Sequence, residues 1–471
     1  MSAPAPAPVS APAARAYRHV AIPRVGRFAP SSRPDLGERL SPNLTFVVLL
    51  GVLPMFAQCF HYLNELPPTY LLSKAWPVMA LPLTLYAMAR MKLPGKAIYL
   101  VFLAYAIGFT PLISMIELGN GFFDALTTTI KIWPVTYYFA LSALLAWMAP
   151  IGSRLKTAVL TLGYATYGIM LLLWLVAPAS WYNSDPSVGK LMLFEAERGY
   201  RIYMPMFFGM LLVFYLTRSF MQRPHVLKVA AVGIAVALMF IIFKQRASIG
   251  SALVVIGFGV VASAPRQLRR LMIGGLCLLV PLAVAVLVMK ANGDVAESLG
   301  GSLSVRQNSF ALATQFLGTD VWHWLFGVGA TTRFSTITLA EIFGNAQFFI
   351  ADLGWVGVVF EYGAVGALLI VILYLWGYVA VSKAARRSGE PFAQALADYI
   401  LFLLVSSAVY SLVLTPGELG VIMAIAVYLD RYRSKHPGST PPAPADPDAD
   451  RSTRRRMMVI THAATAKKTV R

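Results

Sequence analysis

The chain contains little charge for its length, and this scarcity excludes an ordinary soluble protein. Only 13% of its 471 residues are charged and 58% are hydrophobic. Soluble domains carry about 25% charged residues and an apolar share of about 45–50%. The composition is therefore typical of a polytopic membrane protein.

Cysteines are also few, and the common signatures of cofactor chemistry are missing. The two cysteines, Cys59 and Cys277, fall in apolar runs that we assign to opposite membrane faces, so no disulfide is expected. The sequence contains no cluster of metal ligands, no phosphate-binding P-loop and no dinucleotide-binding glycine pattern. We expect neither a metal ion nor another cofactor.

What the sequence does contain is a series of apolar runs, from about residue 43 to about residue 429. A helix needs about 20 apolar residues to cross the hydrocarbon core, where its backbone groups must be satisfied internally. The runs predict an all-α transmembrane bundle of about 12 helices. The predicted spans are 43–60, 71–89, 97–117, 131–149, 157–177, 203–220, 227–244, 247–264, 271–289, 353–381, 391–413 and 416–429.

Clusters of basic residues fall in every second loop between these spans. Short loops rich in Lys and Arg stay cytoplasmic, so both chain termini are predicted inside. The clusters are Arg90/Lys92/Lys96, Arg154/Lys156, Arg218/Arg223/Lys228, Arg266/Arg269/Arg270 and Lys383/Arg386/Arg387.

The net charge of +19 lies mostly in these loops and in the two tails. We interpret it as a topology signal beside anionic membrane lipid, and no nucleic-acid partner is implied. Residues 1–40 and 431–471 are low-complexity and basic, which predicts disordered cytoplasmic tails around a bundle of residues 41–430.

Two outward loops are long enough to carry function, about 178–202 and a late loop of about 290–352. Outward basic residues, including Arg333, pair with nearby acids or bind an anionic ligand. Arg246 favours the ligand, because its turn is too short to supply an acid and its planar fork of donors suits phosphate oxygens.

The order of these features resembles the superfamily of O-antigen ligases and Wzy-type polysaccharide polymerases. Shared features are the helix number, an arginine in a tight outward turn and a large late periplasmic loop. The late loop is also similar to the family's sequence in an arginine segment, an FGxG segment and a glycine-rich helix start. These are Ser304-Val305-Arg306, Ala311-Leu312 and Leu325-Phe326-Gly327-Val328-Gly329, followed by Gly354, Gly357, Glu361, Gly363 and Gly366.

Two further matches concern the Arg-x10-Gly pattern of the family's polymerases. Arg198 precedes Gly209, and Arg246 precedes Gly257, at that spacing. Close helix packing is the alternative explanation for both glycines.

The resemblance implies transfer of a glycan from undecaprenyl pyrophosphate in the bacterial inner membrane. A sugar hydroxyl of one lipid-linked oligosaccharide attacks the anomeric carbon of another, and the lipid pyrophosphate leaves. Arg246 is then catalytic, and Arg198, Arg201, Arg306 and Arg333 bind substrate. Implied partners are a chain-length co-polymerase and export machinery.

The general base stays open. Family ligases have a histidine after the FGxG stretch, whereas this chain reads Gly344 to Asp352 without one. The candidates are His323, which is otherwise an interfacial anchor, and Asp352, which is otherwise a helix N-cap. Polymerase is the prediction, and a ligase or a transporter of lipid-linked oligosaccharide stays an alternative.

Overall fold

The computed structural model describes residues 40–185, 188–196, 198–275, 301–329, 350–410 and 416–435, most of them helical. The first half contains α1 (Pro42–Phe56), α2 (Pro67–Met79), α3 (Leu81–Arg90), α4 (Lys96–Leu103), α5 (Thr110–Leu118), α6 (Phe122–Thr128), α7 (Tyr137–Met148) and α8 (Gly152–Val176). The second half contains α9 (Phe207–Gln222), α10 (Val226–Leu238), α11 (Arg246–Ser263), α12 (Gly301–Leu317), α13 (Val321–Phe326), α14 (Trp355–Ser388), α15 (Pro391–Ser406) and α16 (Pro416–Lys435).

Shorter elements join these helices. Two π-helices, Ala104–Phe109 and Met239–Phe243, continue α4 and α10, and 3₁₀ turns cover Thr129–Thr136, Ala179–Trp181 and Ile350–Leu353. Strands β1 (Met192–Glu195) and β2 (Gly199–Ile202) form an antiparallel hairpin. The predicted loop 178–202 therefore contains a small sheet that the apolar pattern did not indicate.

The prediction of a helical membrane protein is confirmed. Among the described residues, seven helical stretches are long and apolar enough to cross a membrane: Pro67–Arg90, Lys96–Leu118, Phe122–Met148, Gly152–Val176, Val226–Phe243, Arg246–Ser263 and Trp355–Ser388. The shorter helices α1, α9 and α15 are also apolar. The count of about 12 spans and the cytoplasmic termini stay predictions.

Some predicted boundaries differ from the observed ones. The helix predicted over 203–220 starts four residues later, at Phe207, because the strand β2 ends only at Ile202. The span 43–60 ends early, since α1 stops at Phe56. Most of the span 271–289 and both predicted tails lie outside the described residues, as does Cys277.

The core surrounds α7, whose sequence is apolar on every side. Nine of its 12 residues are buried, and α3 and α16 pack against it. A helix that is hydrophobic all round belongs inside a bundle, not on its lipid face. At the start of α7, the ring of Tyr138 stacks on Tyr99 with ring centroids 4.5 Å apart.

One end of the bundle joins the loops that carry the basic clusters. Lys156 and Arg433 both pair with Glu390, at 2.9 and 2.6 Å. Gln222 donates to the carbonyl of Gly389 at 2.6 Å. These residues belong to predicted cytoplasmic loops and to the end of α16, so contacts far apart in sequence agree with the predicted alternation.

The late loop packs onto α14, where that helix breaks at Gly363 (φ 64°, ψ −179°). A break at membrane depth exposes a backbone carbonyl, which needs a new donor. Tyr105, in the first π-helix, supplies its hydroxyl to the carbonyl of Tyr362 at 2.7 Å.

The FGVG segment fits closely into this break. Gly327 adopts φ +76°, and a Cβ there would meet the backbone of Glu361 and Gly363. Gly329 (φ +84°) likewise approaches the backbone of Ser114 in α5. Only glycine allows this conformation and approach at little cost. The late loop is thereby held between α5 and α14.

Candidate functional site

The hairpin in the predicted outward loop 178–202 concentrates positive charge. Its register places Leu193 opposite Arg201 and Glu195 opposite Gly199, which has the positive φ that the turn needs. Glu195 pairs with the buried Arg201 and lies 3.4 Å from Nε of Arg198. Two guanidinium groups therefore share one carboxylate.

This carboxylate leaves donors on the hairpin unused. The Nε atoms of Arg198 and Arg201 are buried without a hydrogen-bond partner within the described ranges. Burial lowers the pKa of Arg201, and Arg198 lowers it further, while Glu195 raises it. A second anion beside this pair would relieve the repulsion between the two arginines.

The turn before α11 is fixed to the hairpin by Lys244. The second π-helix ends at this residue, which adopts a left-handed conformation with φ 54°. Its ammonium donates to the carbonyls of Arg198 and Tyr200 at 2.8 and 2.9 Å. The turn that holds Arg246 and the arginine-rich hairpin therefore form one connected surface.

Arg246 begins α11 and its side chain is exposed. It makes no ion pair and no side-chain hydrogen bond with the residues that the structure describes. Gln245, the N-cap residue, makes no side-chain capping bond, and the first turn contains no acid. A helix start with unpaired N–H groups and a free guanidinium favours an anion.

Gln245 connects this turn to the end of α15. Its amide nitrogen donates to the hydroxyls of Tyr410 and Tyr203 at 3.0 and 3.5 Å. The ring of Tyr203 also faces Arg201, with 5.5 Å between the guanidinium carbon and the ring centroid. The aromatic pair thus lies between the arginine hairpin and the α11 turn.

A cavity of about 380 Å³ lies beside Tyr410. It is lined by Arg306, Gln307, Phe310, Leu353, Ala408 and Val409. Because Val409 and Tyr410 are neighbours in the chain, the cavity adjoins the Gln245 turn. The structure therefore brings Arg306 to the same end of the bundle as Arg198, Arg201 and Arg246.

Asp352 lies next to this cavity along the chain. Its backbone belongs to the 3₁₀ turn Ile350–Leu353, whose last residue lines the cavity. The N-cap of α14 is Gly354, so the alternative that Asp352 caps this helix is wrong. Arg333, the remaining predicted arginine, lies outside the described residues.

His323 is placed elsewhere, between α13 and α5. Its Nε2 lies 2.8 Å from Oε2 of Glu117, and its ring stacks over Phe316. Phe316 is ten residues from Arg306 on α12, which is about 15 Å of helix. The structure thus separates His323 from the arginine cluster and gives it a carboxylate partner.

The two Arg-x10-Gly matches have different structural backgrounds. A Cβ at Gly209 would lie 3.1 to 3.4 Å from side chains of Met206, Thr166 and Tyr167, so close packing explains this glycine. A Cβ at Gly257 would meet no described residue within 4 Å, so packing within the described part of the chain does not explain this glycine.

Several residues of the site were missed from sequence. No sequence pattern assigns a site role to Lys244, Gln245, Tyr410 or Glu117. Their partners are distant in the chain, as with the 206 residues between Glu117 and His323, and no local pattern indicates such pairs. Three tryptophans, Trp181, Trp322 and Trp324, are exposed, and their ring faces suit either sugar rings or the membrane interface.

No protein-family model matches the chain, and no curated protein matches it closely enough to identify a relative. The site therefore has to be interpreted from its own geometry.

Proposed function

We propose that this protein is a membrane glycosyltransferase that polymerises oligosaccharide repeat units carried on undecaprenyl pyrophosphate, at the periplasmic face of the bacterial inner membrane. The observation that carries the proposal is Arg246. It is an exposed arginine, without an ion-pair partner among the described residues, at a helix start whose N-cap makes no side-chain bond, and Lys244 fixes its turn to a hairpin with two further arginines.

The chemistry needs such a cluster. An acceptor hydroxyl forms a bond to the anomeric carbon of the donor sugar, while the bond from that carbon to the pyrophosphate oxygen breaks. The departing lipid pyrophosphate gains one negative charge. Guanidinium groups beside it bind the transition state more tightly than the bound donor, which is the condition for acceleration.

The hydroxyl proton goes to a base, and we assign this role to Asp352. Its chain neighbour Leu353 lines the cavity that contains Arg306, whereas His323 stacks on Phe316, which is about 15 Å along the helix from Arg306. A base must be within about 3 Å of the proton that it takes.

Arg246 provides the direct test. Arg246→Ala should leave the protein in the membrane at normal level but abolish polymer and the release of undecaprenyl pyrophosphate. Arg246→Lys should recover only part, because an ammonium lacks the bidentate fork. Arg223→Ala, at an exposed arginine in a predicted cytoplasmic loop, is the matched control and should be active. Normal activity per molecule of Arg246→Ala removes this residue from the site.

A ligase is the second candidate, and the pairing of His323 with Glu117 favours it. His323 precedes the FGVG segment and does not match the histidine that family ligases place after it, but its carboxylate partner orients an imidazole in the same loop. Sizing the glycans on the lipid carrier in a deletion strain separates the two functions. Single repeat units support a polymerase, a ladder of long chains supports a ligase, and an unchanged pool points to a transporter.

A further inference from the structure

Lys74 is a charged residue inside a membrane-spanning helix. It lies seven residues into the stretch Pro67–Arg90, about 10 Å along the helix from its outward start. Its ammonium lies 3.0 Å from Nε2 of His61, in the preceding loop, and 5.3 Å from the ring centroid of Tyr70. Charges at such positions are costly and usually serve a function.

A second lysine reaches the same corner from another loop. Lys190 lies over the ring of Tyr62, 5.5 Å from its centroid. The two loops are tied together, because Asn64 donates to the carbonyl of Val188 at 3.0 Å, and Glu65 accepts from the amide that follows Lys190. The two ammonium groups therefore share one small region of the outward surface.

Among the described residues, neither ammonium forms an ion pair with a carboxylate, whereas Lys131, Lys156 and Arg201 each have an acidic partner. The nearby carboxylate of Glu65 accepts from the backbone amide of Leu191 instead. Two like charges without an ion-pair partner are stabilised by an external anion.

His61 shows the effect of this local field. Burial and, to a smaller extent, the charges of Lys74 and Lys190 together lower the pKa of His61 to about 3. The ring is therefore neutral and accepts a hydrogen bond from Lys74. It leaves both positive charges of the lysines available.

We propose that Lys74 and Lys190 form a second binding site for a lipid-linked pyrophosphate, which holds the acceptor glycan while the arginine cluster holds the donor. This inference rests on the proposed function. Transfer between two lipid-linked glycans requires two pyrophosphate groups at one membrane face. Lys190 lies two residues before β1, the first strand of the hairpin that carries Arg198 and Arg201, so this hairpin connects both sites.

Counting bound lipids tests the proposal. The full chain is purified in detergent, and native mass spectrometry counts the molecules of undecaprenyl pyrophosphate that it binds. We expect two for the unchanged protein and one for Lys74→Met/Lys190→Met, with at least about tenfold weaker binding at the lost site. Arg246→Ala should also retain one. Lys74→Arg/Lys190→Arg, which keeps both charges, should retain two.

Control variants show how each remaining result is to be interpreted. Lys383→Met, at an exposed lysine of a predicted cytoplasmic loop, should still bind two lipids. Two lipids on the double methionine variant would exclude the lysine site and leave the proposed function intact. A single lipid on the unchanged protein that is lost only in Arg246→Ala would also exclude the lysine site and leave the proposed function intact. No bound lipid at all would refute both proposals.

The ligand chemistry also fits ordinary anionic phospholipid. Titration with phosphatidylglycerol separates the two sources. We expect undecaprenyl pyrophosphate to remain at the lysine site under a tenfold excess of phosphatidylglycerol. Equal displacement would assign the site to bulk phospholipid and overturn its role in holding the acceptor.

Discussion

Lys244 gives the most direct test of how the site is assembled. Lys244→Met removes two hydrogen bonds to carbonyls of the hairpin, at 2.8 and 2.9 Å, and keeps a similar side-chain length. Bonds from a charged donor contribute about 1.5–3 kcal/mol each when buried. One of these two is exposed, so we expect a combined loss of about 2 kcal/mol.

A loss of about 2 kcal/mol corresponds to about thirtyfold in the opening equilibrium of the hairpin. Hydrogen exchange measured by mass spectrometry on peptides that cover 192–203 should therefore accelerate by about that factor. Glycan transfer should also fall, because the turn that holds Arg246 loses its connection to Arg198 and Arg201.

Lys228→Met is the matched control. Lys228 also donates to two backbone carbonyls, those of Ser219 and Arg223, but in a predicted cytoplasmic loop. It should leave exchange in the hairpin unchanged. If Lys244→Met does not change this exchange, or if both variants raise it equally, then Lys244 does not couple the hairpin to the α11 turn.

Three further predictions concern stability. Asp398→Asn leaves Arg218 without the carboxylate that binds it at 2.6 and 2.7 Å, so the unfolding free energy in detergent should fall by about 3–5 kcal/mol, and Arg218→Met/Asp398→Leu should recover part of it. Gly363→Ala puts a Cβ against the late loop at φ +64° and should prevent accumulation of folded protein, whereas Gly233→Ala, which meets nothing within 4 Å, should not. Folding lowers the pKa of His61 from 6.5 to about 3, so its contribution to the folding stability is full above pH 6.5 and is lost as pH falls towards 3. His61→Gln should therefore make the melting temperature less dependent on pH between pH 6.5 and 4. An unchanged dependence would contradict this.

Arg246 shows how far a local pattern reaches. Its position in a tight turn between two apolar runs predicts an exposed cation, and Arg246 is exposed in the structure. Gly209 and Gly257 show the opposite case. They share one spacing pattern, yet only Gly209 is closely packed. A pattern of two residues carries no information on which other helix lies against the second one.

Lys74 was within reach of sequence reasoning. A lysine in the apolar run 71–89 is the usual sign of a functional intramembrane charge. Its partner His61 and the neighbouring Lys190 were not predictable, because Lys190 comes from a loop more than one hundred residues later in the chain. The same holds for Arg218 and Asp398, which are 180 residues apart.

By itself the sequence determined that this protein is a helical membrane protein, because each span must bury its own backbone hydrogen bonds and so carries a local apolar signal. It also determined which loops carry excess positive charge. Only the tertiary structure decided which charges are neutralised and which remain available, since ion pairs such as Lys131 with Glu361 form between helices whose packing no local pattern encodes. The fold alone also joins the turn of Arg246 to the hairpin of Arg198 and Arg201, because the hydrogen bonds of Lys244 connect residues 44 and 46 positions apart in the chain.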